Sequence, residues 1–94
     1  MVIQHKLLDG RGMFYVGHDG GILAEMVYSM SQKNEMVIEH TEVDVELEGQ
    51  GVGKELVHTA VEYARAHNLK IVPLCPFAKK VLSKTTEWQD VLSN

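Results

Sequence analysis

Between residues 48 and 53 the chain reads Glu-Gly-Gln-Gly-Val-Gly, and the spacing of apolar residues changes on either side of it. Upstream, Met36-Val37-Ile38-Glu39-His40-Thr41-Glu42-Val43 alternates at period two in its later residues, as a half-buried strand should. Downstream, Val52, Leu56, Val57, Ala60, Val61 and Ala64 recur at three and four residues. They mark one apolar helix face that runs to about His67, with Asn68 as its stop. A glycine-rich turn between a strand and a helix can bring successive backbone N–H groups close to an anion without interfering side chains. The positive end of the helix points to the same place, so a phosphate is the natural guest. The same glycines would also serve a tight turn that only needs positive φ. Two familiar phosphate loops are excluded by spacing. A Walker A loop needs a glycine where Glu48 stands and Ser or Thr where Glu55 stands, and a dinucleotide fingerprint counted from Gly49 and Gly51 needs a glycine in place of Lys54.

The first half otherwise reads as strands. Met13 to His18 is apolar and aromatic, Asp19-Gly20-Gly21 is a hairpin turn signal, and Ile22 to Met30 is a second apolar run, so the pair is expected as an antiparallel hairpin. The polar turn Ser31 to Glu35 leads into the strand from Met36, and Val2 to Leu7 is expected as a further edge strand. After the helix, Lys70-Ile71-Val72-Pro73 is a short strand. Pro76 suits the first turn of another helix, in which Phe77, Val81 and Leu82 are expected to face inward. A last helical segment around Trp88 to Leu92 should close the core. With 94 residues, 45% of them hydrophobic and 23% charged, and no repeat or linker, residues 1–94 are expected to form one domain.

The net charge of −4 conceals an asymmetry: residues 1–48 hold three basic and nine acidic side chains, residues 49–94 six basic and four acidic. An acidic chain without a dense basic stripe argues against nucleic acid, while the basic second half suits a small phosphorylated ligand. No apolar run approaches a membrane span of roughly 20 residues, and a single cysteine, Cys75, suits a reducing compartment. A soluble, cytoplasmic protein is therefore expected, with no membrane partner. The five histidines are dispersed and only one cysteine exists, so no metal site and no hydrolase triad is expected.

The turn resembles the pyrophosphate loop of the GNAT N-acetyltransferases, which runs Arg or Gln, two residues, Gly, one residue, Gly or Ala. Gly51 and Gly53 match it, and Glu48 stands where Arg or Gln is usual. The chain is most similar to small stand-alone GNAT-like proteins in which a strand ending in His-Thr precedes the loop and a Pro-x-Cys-x-aromatic segment follows the helix. Here those are His40-Thr41 and Pro73-Leu74-Cys75-Pro76-Phe77. The resemblance implies an α/β (α+β) fold, a mixed and mostly antiparallel sheet with two to three helices, splayed after the fourth strand so that acetyl-CoA or coenzyme A lies in the gap. It implies that backbone around Val43 to Val45 pairs with the pantetheine arm, that Gly49, Gln50, Gly51, Val52, Gly53 and Lys54 hold the pyrophosphate, and that Cys75 and Phe77 complete the cofactor site. The helical segment usual between the first two strands is missing, replaced by at most Asp9-Gly10-Arg11-Gly12, which leaves the acceptor side open to a bulky or exposed amine.

Acetyl transfer to an amine needs a base for the ammonium proton and profits from an acid for the departing thiolate. His40, on the strand that feeds the loop, is the candidate base; a half-exposed strand histidine with no chemistry would look the same, and Glu39 and Glu42 are weaker alternatives. Cys75 precedes Pro76 and so caps the next helix, where the helix end lowers a thiol pKa. It is a candidate acetyl carrier or proton donor, or else a small buried hydrophobe. Three functions remain open: an acetyl-CoA-dependent N-acetyltransferase acting on an unidentified amine, with that of a peptide or protein among the candidates; a non-catalytic coenzyme A-binding or regulatory module; and an α/β interaction domain whose glycines only make a turn.

Overall fold

A computed structural model describes residues 1–93. Four antiparallel strands, β1 (Gln4–Leu8), β2 (Arg11–His18), β3 (Gly21–Met30) and β4 (Glu35–Val43), follow one another across the sheet. β5 (Lys70–Pro73) adds to β4 in parallel, which requires a crossover, and helix α1 (Val52–Ala66) supplies it. Helix α2 (Pro76–Lys84) and a 3₁₀ segment over Thr86–Val91 complete the chain. Each expected strand is present within two residues of its expected ends. Asp9-Gly10 and Asp19-Gly20, all at positive φ, are the two-residue hairpin turns, so β1 runs directly into β2 with no helix between them.

Every residue of the anticipated α1 stripe, Val52 to Ala64, is buried, against Phe14, Met26, Tyr28, Met36, Ile38 and Ile71 of the sheet. The helix ends as its sequence implies. Asn68 takes the left-handed conformation at φ 55, the Leu69 N–H returns to the Ala64 carbonyl at 2.8 Å, and the Asn68 N–H returns to Arg65. The final segment is 3₁₀ rather than α. Trp88 and Val91 bury themselves, and Arg65 fixes the segment to α1 through both Asp90 carboxylate oxygens and the Glu87 carbonyl.

Two expectations need correction. On α2 the residues that enter the core are Ala78 and Leu82; Phe77 is 40% exposed and Val81 only partly buried. One turn of α2 is thus rotated away from the core, and its Phe77–Val81 edge faces the glycine loop instead. Val45 lies beyond β4 in a short 3₁₀ turn, Val45–Leu47, and is 75% exposed.

All helices cover one face of the sheet, and a β-bulge in β4 decides what each face carries. Val27 pairs with His40 but Tyr28 pairs with Ile38, so Glu39 is an extra residue. Met36 and Ile38 point to the helices before the bulge, and Thr41 and Val43, opposite Met26 and Ala24, do so after it. His40 and Glu42, opposite Val27 and Glu25, therefore lie on the open face. Without the bulge, strict alternation from Ile38 would have sent His40 toward the helices and Thr41 away from them.

Candidate active site

β4 and β5 are paired only from Glu35↔Lys70 to Ile38↔Pro73. Beyond that point the Leu74 and Cys75 N–H groups both donate to the Ile38 carbonyl, at 2.9 and 3.1 Å, and the chain turns away into α2 while β4 continues to Val43. A cleft of about 340 Å³ opens between them. Val43 and Leu47 form one wall, Phe77 and Val81 the other, and the loop from Glu48 to Lys54 closes the end.

The three glycines do different things. Gly49 and Gly51 sit at φ 80 and 76, a conformation that costs any other residue about 1–2 kcal/mol, and they bend the chain so that Gly51 caps α1 with no side chain of its own. The first helical hydrogen bond runs from the Glu55 N–H to the Gly51 carbonyl, which leaves the N–H groups of Val52, Gly53 and Lys54 without intrahelical partners at the cleft end. Gly53 has no positive φ. It is bare because the Phe77 ring lies on it: a Cβ there would come 2.5 Å from the ring.

Of the expected cofactor residues, Val43, Gly49, Gly51, Val52, Gly53, Lys54 and Phe77 line the cleft. Val45, Gln50 and Cys75 do not. The Gln50 amide turns back to the Glu46 carbonyl at 3.2 Å and holds the loop rather than facing the cavity. Glu48, the first residue of the glycine-rich turn, lines it as well, and Leu47 and Val81 line it without having been expected there; Val81 could have been found as the residue one turn after Phe77 on the same helix edge.

Cys75 is buried at the fork where β4 and the chain leaving β5 separate, with Sγ 3.4 Å from the Thr41 hydroxyl. Burial alone would push its thiol up, but hydrogen bonding to Thr41 and the backbone N–H groups of Ala78 and Phe77 outweighs that and holds it below its ordinary value. The neutral thiol makes no capping hydrogen bond to α2; the amides favour the thiolate. His40 is half-exposed on the opposite face of the sheet, with Nε2 3.2 Å from the Glu42 carboxylate. The structure does not place His40 and Cys75 on one face; it sets them on either side of the fork.

The profile of the GCN5-related N-acetyl-transferase family matches residues 13–91. This chain belongs to the GCN5-related N-acetyltransferase family. A candidate GCN5-like N-acetyltransferase from Staphylococcus aureus, solved by NMR, is 43% identical over 97% of this chain and 88% of its own, with a TM-score of 0.76. A nourseothricin acetyltransferase is 31% identical over 68% of this chain and 39% of its own, with a TM-score of 0.56. A candidate streptothricin acetyltransferase from Bacillus anthracis was solved in complex with acetyl coenzyme A. It shares the fold at 23% identity and a TM-score of 0.61, over 79% of this chain and 47% of its own. The chain thus spans less than half the length of these two larger GCN5-related proteins. No curated protein sequence matches it. Among the described residues no helix is long and apolar enough to cross a membrane, and no three His, Cys, Asp or Glu side chains are grouped as metal ligands.

Proposed function

We propose that the chain binds acetyl-CoA in the cleft between β4 and α2 and transfers the acetyl group to an amine. The observation that carries this reading is the cleft itself, an apolar channel that ends on three unpartnered helix N–H groups. An apolar pantetheine arm suits the walls of Val43, Leu47, Phe77 and Val81, and a pyrophosphate suits the helix end. Lys54 adds a positive charge at the same place. The thioester would then lie at the fork beside Cys75. An amine approaching from the open face meets His40, whose Nδ1 takes the ammonium proton while the Glu42 carboxylate accepts from Nε2–H and orients the ring. The amine nitrogen attacks the thioester carbonyl, the carbon–sulfur bond breaks, the Cys75 thiol protonates the departing thiolate, and the second proton shed by the new amide nitrogen passes through solvent to restore the Cys75 thiol. Among the described residues no helix covers the open face, which suits an amine on a peptide or protein. A single cysteine suits a reducing, cytoplasmic setting.

Glu48 on the cleft wall favours a second reading, a coenzyme A-binding module without turnover, because a carboxylate beside the pyrophosphate weakens its hold. Calorimetry with coenzyme A and acetyl-CoA tests the site. Binding should raise the melting temperature, and Gly51→Asp should abolish the effect by placing a side chain and a negative charge on the loop. Equal stabilisation of both proteins would remove the loop from the site. Acetylated product from a panel of amines and peptides separates the enzyme from the module.

A further inference from the structure

Past Ile38↔Pro73 no backbone ladder joins β4 to the chain that follows β5. At that level one side-chain hydrogen bond crosses from β4 to residues 74–84, the 3.4 Å contact between Thr41 Oγ1 and Cys75 Sγ, and Thr41 makes no other side-chain hydrogen bond among the described residues. Thr41 reaches the thiol only because the bulge at Glu39 turns it to the helix face. Its branched Cβ leaves it few rotamers, so the hydroxyl is held in place rather than free to wander. A valine would fill the same volume, yet a hydroxyl stands against the sulfur.

We propose that Thr41 is the positioning residue of this site: its hydroxyl holds the Cys75 sulfur at the fork between β4 and α2 and stabilises the thiolate that is left when the thiol gives up its proton. This rests on the reading of Cys75 as the proton donor. With the thiol neutral, Sγ–H donates to Thr41 Oγ1; once the proton has passed to the leaving coenzyme A sulfur, the hydroxyl rotates and donates to Sγ, joining the N–H groups of Phe77 and Ala78. Among the described residues no charged side chain competes for the sulfur. On β4, His40 and Glu42 lie on the opposite face; on α2, Lys79, Lys80 and Lys84 are exposed; on β5, Lys70 bonds to the Asp90 carbonyl; on α1, Lys54 and Glu55 are exposed.

Because Cys75 is the chain's single cysteine, the ultraviolet absorbance of its thiolate can be titrated directly, with Cys75→Ser as the blank, and needs neither reagent access nor turnover. Thr41→Val should move the thiol midpoint up by about one pH unit, a tenfold loss of thiolate below the midpoint, and Thr41→Ser should restore it. Coenzyme A affinity, measured by calorimetry, should stay unchanged in both. In transfer assays Thr41→Val should lower kcat with little change in KM for acetyl-CoA and add nothing to the loss caused by Cys75→Ser. A midpoint equal to wild type in Thr41→Val, or one displaced as far by serine as by valine, overturns the assignment. Should Cys75→Ser leave transfer untouched while the titration still shifts with Thr41→Val, the proton-donor reading falls and the Thr41–Cys75 link stands.

Discussion

Replacing Gly53 with alanine separates the roles of the three loop glycines. Gly53 is helical, so alanine should gain about 0.5–1 kcal/mol from the stiffer backbone. Its Cβ, however, would sit 2.5 Å from Phe77 Cζ and 2.8 Å from Cε2. Carbon atoms rest about 3.5 Å apart or more, so the ring has to retreat by roughly 1 Å. Phe77 is 40% exposed and can swing outward, which puts the cost near the low end of the usual overpacking range, about 1 kcal/mol. The two effects nearly cancel, and thermal melting should move by less than about 8 °C. Coenzyme A affinity should nevertheless fall about tenfold, because the displaced ring is a wall of the cleft. Gly51→Ala makes the contrast: nothing lies within 4 Å of its Cβ, yet φ 76 costs about 1–2 kcal/mol, so the protein should melt about 5–15 °C lower. A double-mutant cycle with Phe77→Ala completes the assay. Removal of the ring should relieve the clash, and the two substitutions should couple by about 1 kcal/mol in melting. Strict additivity, or a Gly53→Ala protein as unstable as Gly51→Ala, would refute the assignment of Gly53 to ring packing.

Glu48→Arg should tighten coenzyme A binding about tenfold at low salt, with the gain shrinking as salt rises, since it replaces a carboxylate on the cleft wall by a cation; weaker binding by calorimetry would show that Glu48 supports the loop instead. His5 Nε2 lies 2.6 Å from the Tyr28 hydroxyl, which burial keeps protonated, and the imidazole stacks on Phe14. Burial, with His67 adding to it, holds His5 below its ordinary 6.5, so the unfolded chain takes up the proton first. Its contribution to stability should be complete above pH 6.5 and be lost as pH falls from there through the folded value. Melting temperature against pH should therefore drop more steeply in wild type than in His5→Gln, and parallel curves would contradict the linkage.

The parts of this fold that depend on neighbours in sequence were legible before the structure. The α1 stripe, the Asp19-Gly20 hairpin turn, the Asn68 stop and Pro76 at a helix start each follow from a local period or a local backbone preference. The same is true of the loop, whose position between strand and helix can be read directly. What stayed hidden depends on pairing between distant segments. The bulge at Glu39 exists only relative to β3, and it settles which face His40 and Thr41 take. Phe77 was expected both in the core, from its helical period, and at the cofactor, from the resemblance, and the close approach of α2 to α1 at Gly53 decides for the cleft wall. Gln50 was expected to face the ligand because of its place in the loop, but the Glu46 carbonyl lies nearer to its amide.

The opposed positions of His40 and Cys75 bear on how Cys75 would act. An acetyl carrier must be reached by the thioester and afterwards by the amine, so carrier and base would be expected on the same side of the acyl carbon. Here the base lies on the open face and the thiol on the helix face, beside Thr41. Direct transfer fits that arrangement better: the amine attacks from the open side while the sulfur of coenzyme A departs on the helix side, next to a thiol held below its ordinary pKa. On this reasoning the intact protein should gain no acetyl group when incubated with acetyl-CoA alone, as judged by its mass. Cys75→Ser should bind coenzyme A as wild type does, because Cys75 is not among the residues lining the cleft, and should lower kcat at least several-fold. The initial-rate pattern should require both substrates bound together. A stable adduct of one acetyl group on Cys75, with ping-pong kinetics, would make the cysteine a carrier and place the amine on the helix side of the fork.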